Sequence, residues 1–276
     1  MFEFESREPT GALARYVESV WFARGRISGA RERIAPTGST VAGIVLGDEI
    51  RQTPDGGVPF VARTGFLIGP HDRPIVNEPQ GGTHCLGIVT TPVGCAAVLG
   101  VAPATLRGTV VDLLAAWPRA ARLRLDLREC ATTADALDAT VAAIEPTALP
   151  GQPFDRCEEA VRMLDADPTR SVADIAAALG VSHGHLDRQF TELVGLSPRT
   201  LARILRMRRL LEGIDVHGEI TWSGKAAELG WTDQAHLIRD FKRHTGVTPS
   251  AYVAAQRATY GQAEAAASAG FVPEAT

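Results

Sequence analysis

Four cysteines occur in 276 residues, and no two of them form a C-x-x-C pair. Cys85, Cys95, Cys130 and Cys157 lie at wide, unpatterned intervals, which gives no zinc ribbon, redox dithiol or disulfide framework. Buried free thiols in a reducing compartment are the plain reading. No run of apolar residues is long enough to cross a bilayer. The opening Met-Phe-Glu-Phe-Glu has neither the basic nor the apolar part of a secretory signal, so a cytoplasmic location is expected. His71 and His84 belong to no H-x-H pair and have no third ligand at metal spacing, so neither a metal nor a cofactor is expected. His84 and Cys85 are neighbours, but adjacent residues of a strand point to opposite faces, which argues against a Cys–His nucleophile. No glycine-rich phosphate loop or G-x-S-x-G stands in the chain, and no catalytic residue is assigned. Lysine is nearly missing as well: Lys225 and Lys242 are the only two. A net charge of −4 argues against a protein that coats nucleic acid indiscriminately. It leaves room for a sequence-specific reader, because the basic residues cluster between Arg199 and Arg209 and after Arg239.

What the chain does have is a stretch that occurs twice. From Leu179 it reads L-G-V-S, then R-Q-F at Arg188, then G-L-S-P ending at Pro198; from Leu229 it reads L-G-W-T, then R-D-F at Arg239, then G-V-T-P ending at Pro249. The second copy carries one extra residue between its turn and its arginine. Such an ordered recurrence marks an internal duplication. In the first copy Ser171 reads as a helix cap with Asp174 in the opening turn. Val172, Ile175, Ala176 and Leu179 follow at helical spacing, and Gly180 ends the helix. Ser182 caps a second helix whose buried side is Leu186, Phe190 and Leu193. Ser197-Pro198 opens a third, with proline at the first helical position. The second copy repeats this with Thr232 or Asp233 as cap and with Leu237, Phe241 and Thr248-Pro249. It departs at Lys225, which stands where the first copy has the apolar Ile175.

Two helices joined by a short glycine turn form a helix-turn-helix, whose second helix commonly enters the DNA major groove. Counting back from the core phenylalanines puts Gly184, His185 and Arg188 on the outward side of one helix, and Ala235, His236 and Arg239 on the other. An outward arginine can grip guanine O6 and N7 with two hydrogen bonds. Asp187 and Gln234, at the flank, suit a cytosine or adenine edge. Lys242 and Arg243 suit phosphates. Arg206, on a helix from Pro198 to about Ile214, belongs to a basic stripe with Arg199, Arg203 and Arg209. That helix is about 25 Å long at roughly 1.5 Å per residue. It would hold the two recognition helices near the roughly 34 Å spacing of successive major grooves.

The region from about Phe154 to Gln256 resembles the DNA-binding domain of the AraC/XylS family of transcription regulators. The matching text is L-G-V-S-H-G-H-L-D-R-Q-F with G-L-S-P, and L-G-W-T-D-Q-A-H-L-I-R-D-F-K with G-V-T-P. The resemblance implies about seven helices, two helix-turn-helix units and promoter binding. Carried onto these positions, it puts Gly184, Asp187, Arg188, Gln234, Ala235 and Arg239 against bases. Ser182, His185, Arg206, Asp233, His236, Lys242 and Arg243 are the candidates for the DNA backbone.

The first 130 residues read differently. Leu13, Tyr16, Val17, Val20 and Trp21 form an apolar entry after a short helical or turn segment. Runs follow at Val41 to Leu46, Val58 to Ala62, Gly65 to Ile68, Ile75 to Asn77 and Cys85 to Thr90, separated by glycine and proline clusters. That is the pattern of a small antiparallel β domain, barrel or sandwich. From Pro92 the spacing becomes helical. The pieces A-R-Y-V-E-S-V-W, A-P-T-G-S-T-V-A-G-I-V and G-F-L-I-G-P resemble the β-rich sensor regions in one branch of the same family. That implies a cupin-like barrel for effector binding or self-association, with no ligand named.

An α+β organisation results: a β-rich sensor or dimerisation domain over 1–145, a linker over 146–153, an all-α DNA-binding domain over 154–257 and a disordered tail over 258–276. The function expected is a sequence-specific transcription regulator, not an enzyme. Its partners would be double-stranded promoter or operator DNA, a small-molecule effector, a second copy in a homodimer, and RNA polymerase if it activates; no membrane is expected. The alternative is a β-domain enzyme or small-molecule carrier with an auxiliary helical module. A helical module that binds protein and has lost DNA is a third.

Overall fold

The computed structural model describes residues 2–26, 31–146, 151–265 and 268–274. The first half runs β1 (Glu3–Arg7), a 3-10 turn (Gly11–Arg15), β2 (Val17–Gly25), β3 (Glu32–Ile34), β4 (Val41–Val45), β5 (Ile50–Pro54), β6 (Phe60–Ala62), β7 (Gly65–Ile68), β8 (Ile75–Pro79) and β9 (Thr83–Thr90). It continues through α1 (Cys95–Leu99), α2 (Pro103–Leu106), β10 (Val110–Asp112), α3 (Leu113–Ala116), α4 (Arg119–Glu129) and α5 (Thr133–Ala143). The second half holds α6 (Gln152–Ala166), α7 (Val172–Ala178), α8 (His183–Val194), α9 (Pro198–Glu212), α10 (Trp222–Glu228), α11 (Gln234–Thr245), α12 (Pro249–Thr259), α13 (Gln262–Ala265) and β11 (Phe271–Pro273). Helices α6 to α12 are the seven expected of the C-terminal region.

The strands form two antiparallel sheets, in the orders β1-β2-β9-β4-β7-β10 and β11-β3-β8-β5-β6. Alternation sorts their side chains. On β4, Ala42 and Ile44 join the core under the helices, whereas Val45 joins a smaller cluster between the sheets with Phe66, Ile68, Cys85, Ile50, Ala62 and Ile75. The space between the sheets is filled in a particular way. Gly43 on β4 pairs with Gly87 on β9. A Cβ at Gly43 would strike the Phe66 ring, and one at Gly87 the Trp21 indole. Two aromatic rings therefore lie where side chains of the central strands would stand. Beside them runs a buried polar row, in which Gln52 donates to Asn77 at 3.3 Å and Asn77 to Glu32 at 3.0 Å. Burial pushes the Glu32 carboxyl up, against the bond from Asn77.

The cores do not divide where the expected linker lies. One cluster runs from the outer face of the six-stranded sheet through α1 to α6 and into the first helix-turn-helix unit, including Phe154, Leu186, Phe190 and Leu201. A second holds the other unit. Helix α9 spans both: Leu201, Ile204 and Leu205 belong to the first, and Met207, Leu210, Leu211 and Ile214 to the second. Of the expected linker, residues 147–150 lie outside the described residues, and α6 already begins at Gln152.

Several expectations need correction. The short segment after Pro9 is the 3-10 turn, the apolar entry at Val17 to Trp21 belongs to β2, the longest strand, and β1, β3 and β5 lie outside the expected runs. After Pro92 the chain returns once to the sheet, as β10 beside β7. The expected tail contains α13 and β11, and β11 pairs with β3, Phe271 opposite Ile34. Tyr252 and Gln256 of α12 donate to the carbonyls of Ala269 and Phe271, so backbone groups near β11 find partners on both sides.

Candidate nucleic-acid interface

Each unit is a helix, a glycine turn and a second helix. Gly180 (φ 67°) and Gly230 (φ 78°) supply the left-handed backbone that L-residues with side chains avoid. There the N–H of Val181 reaches the Ala176 carbonyl at 3.0 Å, and that of Trp231 the Ala226 carbonyl at 2.8 Å, closing the helix ends. Ser171 caps α7 by accepting from the Asp174 N–H at 3.1 Å, while Thr221 offers α10 no such bond. The caps also locate the extra residue of the second copy. Ser182 accepts from the His185 N–H, and Asp233, not Thr232, accepts from the His236 N–H at 2.6 Å. The insertion thus precedes the cap, and α8 and α11 correspond residue for residue.

That correspondence pairs Gly184 with Ala235 and Arg188 with Arg239, and all four are exposed. It pairs exposed Gln234 with His183, which is exposed too and was missed in the sequence because the insertion had no fixed place. Asp187 is half-buried and corresponds to Ile238, so it and Gln234 are not equivalents. Leu186, Phe190, Leu237 and Phe241 are all fully buried, as their spacing requires. Burying each is worth roughly 1.5–3 kcal/mol.

The residues expected at phosphates divide into two sets. Lys242 is exposed, and the Ser182 hydroxyl keeps its proton while it caps. Asp233 spends its carboxylate on the cap, and a carboxylate only accepts, so a phosphate contact there would fall to its backbone N–H. Arg206 donates to the Gly230 carbonyl at 2.8 Å and stacks 4.9 Å over Trp231, holding the second turn. Arg243 pairs with Asp72 of the β region at 2.6 Å. Arg209, of the same stripe, donates to the carbonyls of Asp165 and Ala166 at the end of α6. His185 lies 3.5 Å from Arg156, and His236 lies 3.4 Å from Thr232 and 3.6 Å from Asp240.

Arg156 and Arg206 stand fifty residues apart on the helices that precede the two motifs, so the duplication extends through α6 and α9. Their roles differ. Arg156 donates to the Gln189 side chain at 2.7 Å, while at the matching position of the second unit Asp240 is buried and accepts from Trp231 Nε1 at 3.0 Å. Lys225 is not in the core: it pairs with Glu228 at 3.0 Å, and Trp222 packs edge-on to Phe241, ring centres 5.9 Å apart.

Burial pushes the Cys85 thiol far up and those of Cys95 and Cys157 to about 11, so none supplies thiolate at neutral pH. His84 packs on Phe22, on the other face from Cys85. Among the described residues no three His, Cys, Asp or Glu side chains are grouped to hold a metal, and no helix is long and apolar enough to cross a membrane.

Comparison with known proteins gives two family matches. Residues 175–255 match a family described as a helix-turn-helix domain, and residues 5–112 match a domain of unknown function, DUF6597. No curated protein matches. Among solved structures, ToxT from Vibrio cholerae is 13% identical, with 91% of this chain and 97% of that chain covered and a TM-score of 0.48. A transcriptional regulator of the AraC-type DNA-binding domain-containing proteins from Chromobacterium violaceum is 28% identical, over 39% of this chain and 96% of its own, with a TM-score of 0.33. A DNA-binding transcriptional dual regulator from Escherichia coli K-12 is 24% identical, over 39% and 95%, also with a TM-score of 0.33. The chain thus carries a C-terminal helix-turn-helix domain over residues 175–255 behind an N-terminal DUF6597 region over residues 5–112.

Proposed function

We propose that the protein reads a specific operator with α8 and α11 in successive major-groove segments on one face of the duplex. The observation that carries this is the pair Arg188 and Arg239, exposed at equivalent positions of two helices that share α9 as their support. Gly184, Asp187 and Arg188 serve the first segment, and Gln234, Ala235 and Arg239 the second. His183, the equivalent of Gln234, joins the first set. Gly184 and Ala235 let the backbone approach base edges; a side chain at 184 would meet open space in the free protein. Ser182 and Lys242 serve phosphates.

Control through the N-terminal region, by a small effector or by self-association, completes the reading. Because Trp21 and Phe66 fill the space over Gly43 and Gly87, an effector is better sought outside the inter-sheet core.

The test is binding by fluorescence anisotropy to an operator selected from random DNA. Arg188→Ala and Arg239→Ala should each weaken specific binding by about 1–3 kcal/mol and relax preference at their own base pair, with little change on random DNA. Lys242→Ala should weaken binding to both and reduce the salt slope by about one. Equal losses on specific and random DNA for the arginine variants would refute the base-reading assignment.

A further inference from the structure

The chain passes from β7 to β8 through a short segment, Pro70-His-Asp-Arg-Pro74, that lies against both helix-turn-helix units. Helices α8 and α11 end at equivalent glycines, Gly195 (φ 79°) and Gly246 (φ 77°). A Cβ at Gly195 would stand 2.9 Å from Pro70 Cγ and 2.9 Å from the Pro103 carbonyl oxygen. One at Gly246 would stand 3.2 Å from Pro74 Cγ and 2.9 Å from Arg33 Cδ. Between the two prolines, Asp72 accepts from Arg243, in the last turn of α11, at 2.6 Å. One segment of the β region thus meets the end of α8 and the end of α11 at the same place in the repeated motif.

The segment is held stiffly. Proline fixes φ at about −65° at each of its ends. Its backbone is bound to the β region: the Pro70 carbonyl accepts from the Gly108 N–H at 2.9 Å, and the Pro74 carbonyl from the Asp55 N–H at 3.3 Å. His71 is buried, with its Nδ1 2.9 Å from the Gly69 carbonyl, and Arg73 pairs with Asp55 at 3.1 Å. Burial pushes the Asp72 carboxyl up, but the Arg243 guanidinium brings it below its ordinary value, so both partners are charged at pH 7. From Pro70 to Pro74 the chain can reach no more than about 14 Å, at roughly 3.3–3.6 Å per residue. Helix α9 is one brace between the two units; this segment is a second, and it belongs to the β region.

We propose that the segment Pro70 to Pro74 fixes the spacing between α8 and α11, so that the β region decides which separation of the two operator segments the protein accepts, with Asp72 as the positioning residue. The proposal rests on the two-helix reading above. One base pair added between the segments moves one of them by about 3.4 Å along the duplex and turns it by about 35°. Helices braced at their ends cannot follow that shift, whereas loosely held ones can.

Two measurements on the full chain test it. The first is anisotropy with the selected operator and with versions one base pair longer or shorter between its segments. Wild type should bind the altered spacings at least about tenfold more weakly, and Asp72→Ala should cut that penalty to about threefold or less. Asp72→Glu, which keeps the charge, should retain most of it. The second needs no DNA: the distance between nitroxide spin labels at Glu192→Cys of α8 and Lys242→Cys of α11, both exposed positions. A Cys130→Ser background suits it, because the other three thiols are buried. The distance distribution should be narrow with the Asp72–Arg243 pair intact and broad in Asp72→Ala and in Arg243→Gln. A wild-type spacing penalty below about threefold would overturn the proposal. So would a penalty that Asp72→Ala leaves intact or Asp72→Glu loses equally, or a distribution that neither variant broadens. If no operator can be selected, the two-helix reading fails, and the distance measurement alone decides whether the segment is a brace.

Discussion

The two helix-turn-helix units share a plan but are held in the protein by different forces. The first is sealed by apolar packing that continues into the β region, with Phe190 and Leu186 in one cluster with sheet residues such as Ile44 and Leu86. The second sits in a smaller cluster, which takes in Ala35 beside β3 and Val272 of β11, and leans on polar partners. Asp240 takes the Trp231 N–H, Arg206 takes the Gly230 carbonyl, Arg243 reaches Asp72, and α12 grips the strand that pairs with β3. The difference teaches that one motif can be made rigid or separately releasable by its surroundings, without a change in its own helices. Apolar packing melts with the whole core, whereas a smaller cluster tied by a few polar contacts can open on its own.

The largest test of that contrast is to remove the matching leucines. Leu186→Ala and Leu237→Ala should each cost about 2–5 kcal/mol. Leu186→Ala should lower the melting of the entire chain. Leu237→Ala should produce an earlier, partial transition, with hydrogen exchange rising in α10 to α12 and not in the sheets. A single shared transition for both variants would show that the two cores are one cooperative unit.

Next in size is the polar contact peculiar to the second unit. Trp231→Phe keeps a ring under Arg206 but strips the donor from a buried carboxylate, which should cost about 1.5–3 kcal/mol in thermal or denaturant unfolding. Removing Asp240 as well should cost less than the sum of the single changes, since no unmatched group is then left. Val181 holds the matching position of the first unit, and Val181→Ala has no such partner to strand.

Much of this contrast was legible in the sequence and some was not. The duplicated motif, its caps and its buried leucines and phenylalanines rest on local signals: a glycine turn, Ser-Pro or Thr-Pro, and apolar spacing. The extra residue could not be placed, because Thr232 and Asp233 are both good caps and only the observed bond to His236 separates them. Partners far along the chain left no trace. Asp72 and Arg243 are 171 residues apart, and nothing near Phe271 hinted at β3. Strand β5 escaped because Gln52 is buried through Asn77, which breaks the apolar alternation. Strand β1 escaped because it is almost wholly exposed, Phe4 included.

Acid should separate the units further. His244 of α11 is buried where the first unit has Leu193. Burial pushes its imidazole down, with Arg203 acting the same way, while the Asp240 carbonyl and the Asp240 and Asp72 carboxylates oppose. Its folded pKa therefore lies below the value of about 6.5 in the unfolded chain. Stability from keeping this ring neutral is complete above about pH 6.5 and declines as pH falls toward the depressed folded value, because the unfolded chain takes a proton that the folded one resists. Wild type should lose stability in the second unit as pH falls below about 6.5, and His244→Gln should lose less. Equal losses would mean that His244 does not set the acid response.

The smallest effect belongs to the position where the copies differ most on paper. An apolar Ile175 faces a charged Lys225, and inspection of the sequence alone suggests a defect in the second core. The structure removes the difficulty: Trp222 brings a large ring onto Phe241, and Lys225 turns outward to Glu228 with about a third of its side chain exposed. An exposed helical ion pair is worth only about 0.3–0.5 kcal/mol. Lys225→Ile should therefore change unfolding free energy by no more than about 0.5 kcal/mol in either direction. The same change in a core with an open slot would stabilise it by several times that, through apolar burial. A gain above about 1.5 kcal/mol would show that Trp222 leaves the slot unfilled and that the second unit, even within its own cluster, is packed more loosely than the first.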